Sequence, residues 1–324
     1  MIYKDILMSC LTLVSFPITN FLFLELVSRY NNHHYKFFIL SYFLFLFISN
    51  MIESFFLSYR NYSIKKNIRI KKILFLYFIK INLYVSLITI ILETFLLIFI
   101  NFYGSYLYKY IFYLPFFSIA MFPTIGFILT LCYRQFTGNI KKCCIAAFLS
   151  NIFFILNLYI LIKLELSNFL FVVFLFILGR IILLYISIDG IILSIREFFL
   201  LEVKLSFKII KLGFISLSNH FANSIILYII STILSLNNVN QMILFQLYLT
   251  ILGITNILID SLCLIFSTQI IKTKHINKFY TKWLLFIFII ISFLFFLYYI
   301  YISKFFIGSE DFRNIALDNI VYFY

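Results

Sequence analysis

Ile48-Ser49-Asn50-Met51-Ile52-Glu53-Ser54 and Ile254-Thr255-Asn256-Ile257-Leu258-Ile259-Asp260-Ser261 repeat one order of residues: Ile, hydroxyl, Asn, apolar positions, acid, Ser. Each stretch lies near the end of a long apolar run, and a basic segment follows each. In a helix Asn50 and Glu53 stand three apart and Asn256 and Asp260 four apart, so each pair shares a face about one turn along. A carboxylate inside an apolar span is costly. Finding one twice at the same offset argues for a duplicated membrane unit.

Composition sets the solvent. The chain is 64% hydrophobic and 12% charged, against roughly a quarter charged in soluble domains. No aqueous core hides that much apolar surface, which leaves a bilayer. The 45 Phe and 24 Tyr, beside 8 Gly and 3 Pro, read as base-composition bias and so as packing rather than chemistry. Cys10, Cys132, Cys143, Cys144 and Cys263 lie in spans or at their ends without CxxC spacing, which suggests neither disulfides nor a metal site. The N-terminus has an apolar run but no small-residue cleavage site, and reads as a first span.

Runs of about 20 apolar residues, enough to cross a bilayer, fall at 6–28, 37–58, 73–100, 110–132, 143–162, 168–187, 212–234, 242–266 and 283–303. The links are short, which excludes a soluble domain. Of the 26 Lys and Arg, eighteen fall in one alternating set of links and six in the other, with Lys80 and Arg180 inside spans. That bias predicts a cytoplasmic N-terminus in the inner (plasma) membrane. It also makes the charge of +14 a topology signal rather than a nucleic-acid footprint. In the 188–211 segment, Phe198, Leu201, Leu205 and Ile209 recur at helical spacing among mixed charges. They predict either an amphipathic linker on the membrane surface or a slow start to the seventh span.

The repeat maps the second span on the eighth and the third on the ninth, so a tenth would begin near Asp318. The expected fold is an all-α polytopic membrane protein: an N-lobe at 1–190 with six spans, a linker at 191–211, and an incomplete C-lobe at 212–324 of three spans and a stub.

Two stretches then carry a family resemblance. Residues 133–162, Tyr-Arg-Gln-Phe-Thr-Gly-Asn-Ile-Lys-Lys followed by an apolar span with Asn151 and Asn157, are similar to the fourth-to-fifth span link of the multidrug and toxic compound extrusion (MATE) family. Residues 205–271, with Leu212-Gly213, Gln246 and Ser267, resemble its seventh and eighth spans. The resemblance implies two six-span lobes and export of cationic or amphipathic compounds against Na⁺ or H⁺. The chain departs from the family where Ile215 replaces a frequent proline and Asn223 replaces a coupling acid.

Several side chains are candidates for ion work. Glu53, Lys80 and Arg180 lie at similar depth by residue count, which predicts a buried ion pair holding helices in register. Asp260 faces no such cation, so it reads equally as a proton or cation site or as interhelical glue. Glu25 shares the first span with Pro17, whose missing N–H can open a helix. Glu93, toward the outer end of the third span, reads as reaching toward water. Ser216, Asn219, His220 and Asn223 form a polar cluster, of which Ser216, Asn219 and Asn223 share a helical face and, with Asn50 and Asn256, are candidate cavity-lining residues or interhelical glue. Pro115 and Pro123 predict a kinked fourth span.

These readings converge on a secondary exporter of an amphipathic or cationic small molecule, coupled to H⁺ or Na⁺ at Glu25, Glu53 or Asp260. Its expected partners are the bilayer and the solute, with no nucleic acid. No enzyme activity, catalytic residue, metal or cofactor beyond the coupling ion is expected. The alternatives are a lipid-linked saccharide flippase, with Lys80 and Arg180 as its intramembrane cations, a membrane glycan polymerase or ligase, and a degenerate protein that transports nothing.

Overall fold

The computed structural model describes residues 2–28, 35–56, 62, 67–104, 107–137, 139–164, 168–191 and 207–237, with 245, 249–251, 289 and 293 as isolated positions. All the described structure is helical. The helices are α1 (Ile2–Ser28), α2 (Tyr35–Phe56), α3 (Ile68–Phe102), α4 (Leu107–Ile111), α5 (Leu114–Ser118), α6 (Met121–Thr137), α7 (Lys141–Lys163), α8 (Phe169–Ile188) and α9 (Phe207–Asn237). Five stretches are long and apolar enough to cross a membrane: Phe37–Phe56, Ile68–Phe102, Leu114–Thr137, Lys141–Lys163 and Phe169–Ile188. Leu11–Val27 is a shorter apolar segment. The chain forms two compact units, Met1–Val239 and Asn240–Tyr324. All nine helices belong to the first.

Within that unit α1 packs on α7, α7 on α8, α8 on α6 and α6 on α3, while α2 contacts α4, α5, α6 and α9. The centre is aromatic. Phe23 of α1, Phe38, Tyr42 and Phe45 of α2, Phe117 of α5, Phe154 of α7 and Phe169 and Phe176 of α8 form one connected ring cluster. Phe38 stacks on Phe169 with centroids 4.6 Å apart, and Phe23 meets Tyr42 edge-on at 4.8 Å. In lipid there is no water to expel from between helices, so association rests on close contact and on interhelical hydrogen bonds. Phenyl rings supply much contact per residue, and tilted pairs add about 0.5–1.5 kcal/mol each beyond burial.

Small residues supply the closer approaches. The Ser150 hydroxyl donates to the Gly179 carbonyl at 2.7 Å, joining α7 to α8. The Asn151 amide donates to the Ser15 hydroxyl of α1 at 2.9 Å. Gly213 brings α9 so near α2 that a Cβ there would stand 2.5 Å from the Phe55 ring. Phe55 also meets Phe214, and Phe47 meets Phe221 and Tyr228. The contact order reverses along the two helices, so α2 and α9 run antiparallel.

The prolines act differently from one another. α1 continues through Pro17 without interruption, so the first span is not opened there. The Thr12, Ser15 and Thr19 hydroxyls all bond backwards to carbonyls of the same helix, within the adjustments that let membrane helices absorb a proline. The fourth span is the one that breaks, at Ile119–Ala120 between α5 and α6. Pro115 sits in the first turn of α5, where a missing N–H costs little. Pro123 follows the break and has no N–H to return to Ile119.

α3 shows why its polar residues are where they are. Lys71, Phe75, Phe78, Asn82, Ser86 and Glu93 are buried, at spacings of three, four and seven that draw one seam down the helix. Beyond Ser86 nearly every other side chain faces outward. Along the seam Lys71 Nζ sits 4.6 Å from the Phe136 ring, Phe75 stacks on Tyr133, and the Asn82 amide donates to the Phe122 carbonyl at 2.9 Å.

Candidate functional site

The candidate acids divide by helix. Glu25 lies near the end of α1 at 8% exposure, on a helix that also buries the Thr12 and Thr19 hydroxyls and the Asn20 amide oxygen. Glu53 lies on α2, half-buried, one turn from buried Ser49 and three residues from Phe56. Asn50 is on the same helix and exposed. Lys80 is half-buried on α3.

Among the described residues no ion pair joins Glu53 to Lys80 or Arg180. The reason is the level at which α8 meets α2. Phe176 packs on Tyr42 and Phe45, and Arg180 has Tyr42 as its ionisable neighbour. Tyr42 precedes Glu53 by eleven residues, about 16 Å of helix rise. Equal depth by residue count did not mean equal level in the bundle.

Arg180 has instead an aromatic setting. It is 6% exposed, and its guanidinium carbon lies 4.9 Å from the ring centroids of both Phe16 and Phe176. Its Nη1 is buried with no acceptor, and the buried Tyr42 hydroxyl has no partner either. Each cation–ring contact is worth about 1–2 kcal/mol when desolvated, while burying the ion costs several. The rings therefore offset only part of the cost. A cation and a hydroxyl donor remain at the junction of α1, α2 and α8.

Ser216 is half-buried on α9. Asn219 and Asn223 fall on the same helix, with side chains outside the described residues. Asn256 and Asp260 lie outside them as well, as do 192–206 of the linker stretch. The second copy of the repeat thus has no structural counterpart to compare.

Two arrangements were not foreseen. At the end where α6 and α8 finish and α7 starts, Arg134 is 4% exposed and donates from Nε to the Ser187 carbonyl at 2.8 Å and from Nη2 to the Asp189 carbonyl at 2.7 Å. It thereby occupies open carbonyls at the C-terminus of α8, where positive charge is also favoured by the helix dipole. Asp189 pairs in turn with Lys142 on the first turn of α7, and that ammonium holds its carboxyl below the ordinary range. Gly190 turns the chain at φ 75°, a conformation that suits glycine.

The second lies on the α3 seam. Glu93 is 6% exposed rather than reaching water. The Ser118 hydroxyl of α5 faces its carboxyl, yet both Glu93 oxygens and the Ser118 oxygen are buried without a hydrogen bond. The spacing of Asn82, Ser86 and Glu93 in an otherwise apolar helix was the available signal for this.

Among the described residues no group of three or more His, Cys, Asp or Glu side chains is arranged to hold a metal ion. No family model, no curated protein and no solved structure matches this chain.

Proposed function

We propose that the chain is a MATE-like secondary exporter of an amphipathic or cationic small molecule, driven by H⁺ or Na⁺ exchange at intramembrane carboxylates. It takes the inner-membrane topology with a cytoplasmic N-terminus, its first six spans forming one lobe and the following spans belonging to a second. The observation that carries this reading is Glu53. It stands on the helix that packs both into the bundle and along α9, and it is joined to neither Lys80 nor Arg180. A carboxylate in an apolar span without a neutralising cation binds and releases protons or small cations, and such residues mark ion pathways. Glu25 on α1 and Asp260 in the repeated stretch are the companion sites.

The test is efflux of a fluorescent cation from vesicles holding the purified chain, under an imposed proton or sodium gradient. Gradient-driven efflux that Glu53→Gln abolishes supports the reading. Efflux indifferent to the gradient, or unchanged by that substitution, refutes it.

A second reading has its own support. Arg180 and Tyr42 present a guanidinium and a hydroxyl, each with an unpartnered polar atom, suited to an anionic group such as the pyrophosphate of a lipid-linked saccharide. Arg180→Gln would then abolish translocation of such a lipid while leaving cation efflux absent throughout.

A further inference from the structure

The fourth span breaks beside a buried acid that none of the coupling candidates includes. Glu93 comes from the seam of α3 and Ser118 from the last residue of α5, and the two helices pack together. Three oxygens, two from the carboxyl and one from the hydroxyl, are buried next to one another, and any bond between them is too poorly aligned to satisfy all three. A fourth adjoins them in the chain. The Ile119 carbonyl follows Ser118, and among the described residues no backbone N–H outside the helices donates to it, Pro123 having none to offer.

Unsatisfied oxygens in an apolar interior are costly singly, and the Glu93 and Ser118 oxygens lie buried beside a helix interruption. Interrupted membrane helices expose backbone oxygen where it lines a site, and such carbonyls coordinate small cations. The donor set is hard oxygen throughout, with no sulfur or imidazole, which suits alkali and alkaline-earth ions rather than transition metals. A single carboxylate supplies one negative charge, which balances a monovalent ion and leaves a divalent one uncompensated.

We propose that Glu93, Ser118 and the Ile119 carbonyl form a binding site for a small monovalent cation of the Na⁺ type, at the interruption of the fourth span. The site stands whether or not the chain exports anything. Cation binding there fixes α3 against the break between α5 and α6, so occupancy sets how far the two halves of the fourth span can move.

The experiment is equilibrium binding of ²²Na⁺ to the purified full chain in detergent, with choline chloride holding ionic strength constant and no gradient imposed. Saturable binding displaced by NaCl and not by choline is expected. Glu93→Gln should weaken it by at least about tenfold, and Ser118→Ala by a few-fold. Asp189→Asn, at the exposed pair with Lys142, should leave it unchanged. Absence of saturable binding overturns the proposal, as does binding equal to native in Glu93→Gln. Should Glu93→Gln fail to give a monodisperse protein, Ser118→Ala decides, and native affinity in that variant overturns the proposal. Infrared difference spectra supply an independent readout. Na⁺ should shift a carboxylate band in the native chain, and a protonated carboxyl band that Na⁺ leaves in place overturns the assignment. Export can fail with ²²Na⁺ binding intact, or the reverse, so the two readings fail separately.

Discussion

Arg134→Met removes the cap on α8 while keeping a side chain of similar length. The loss is worked from two bonds, Nε to Ser187 at 2.8 Å and Nη2 to Asp189 at 2.7 Å. Hydrogen bonds from a charged donor are worth about 1.5–3 kcal/mol each. The Ser187 carbonyl belongs to a buried residue and would be left unsatisfied, whereas Asp189 is exposed and water can replace the second bond. The expected cost is therefore about 3–4 kcal/mol rather than the full sum. In melting temperature that is a fall of roughly 5–10 °C for a chain of this size. Cys132 and Cys143 are buried on the two helices flanking the cap, so a thiol-reactive dye reports the transition without an added probe. Arg134→Lys keeps the charge and one bond and should lose about half as much. A melting temperature for Arg134→Met within about 2 °C of native would sink the argument, since it would leave the cap worth less than one ordinary hydrogen bond.

Three further outcomes are expected. The Lys142 ammonium holds the Asp189 carboxyl below its ordinary value of 3.8, so the pair's contribution is complete above that pH and disappears as pH falls through the lower folded-state value. Melting curves taken on descending from about pH 5 should drop less steeply in Asp189→Asn, and equal slopes would show that the pair contributes nothing. Gly213→Ala drives a Cβ into the Phe55 ring and should cost about 1–3 kcal/mol. In the double variant with Phe55→Ala the two effects should be strongly non-additive, and additivity would mean that α2 and α9 do not meet there. In a background with the native cysteines replaced, single cysteines at exposed Asn139 and Gly104 should label from opposite sides of the membrane, Asn139 from the cytoplasm. Labelling from one side would refute the alternation of spans.

The helices themselves were legible, because a bilayer-crossing helix announces itself by length and apolarity in a way no neighbour can override. The second to sixth expected spans coincide with the five stretches long and apolar enough to cross a membrane, while the first and seventh coincide with helices α1 and α9. The level at which the helices meet was less legible. Glu53, Lys80 and Arg180 were matched by counting residues from span ends, but α8 meets α2 at Tyr42, and no count contains that level. Arg134 looked like one more basic residue in a link. Its role depends on α8 ending beside α6, a tertiary fact. The fourth span divides beside Pro123 whereas α1 continues through Pro17, and nothing in the sequence around the two prolines distinguishes the cases. Glu93 was legible in principle. Its spacing from Asn82 and Ser86 marks the seam, but the position near a span end drew attention to water instead.

α3 has one more property, set by its dimensions. Its 35 residues amount to about 52 Å at 1.5 Å per residue, against a hydrocarbon layer of roughly 30 Å. Its first turn carries Arg69, Lys71 and Lys72 and can reach water, but the apolar stretch 73–100 alone is about 42 Å, and Ile88, Ile91, Leu92, Phe95, Ile98 and Phe99 project outward from it, so that surplus cannot be left in water. The helix must lean, or the lipid around it must stretch. Acyl-chain length therefore acts on the angle of α3. Because the buried seam ties that helix to α6 through Asn82 and Phe122, bilayer thickness becomes a mechanical input to the broken fourth span. Reconstitution in short-chain and long-chain lipids would load the same joint in opposite directions.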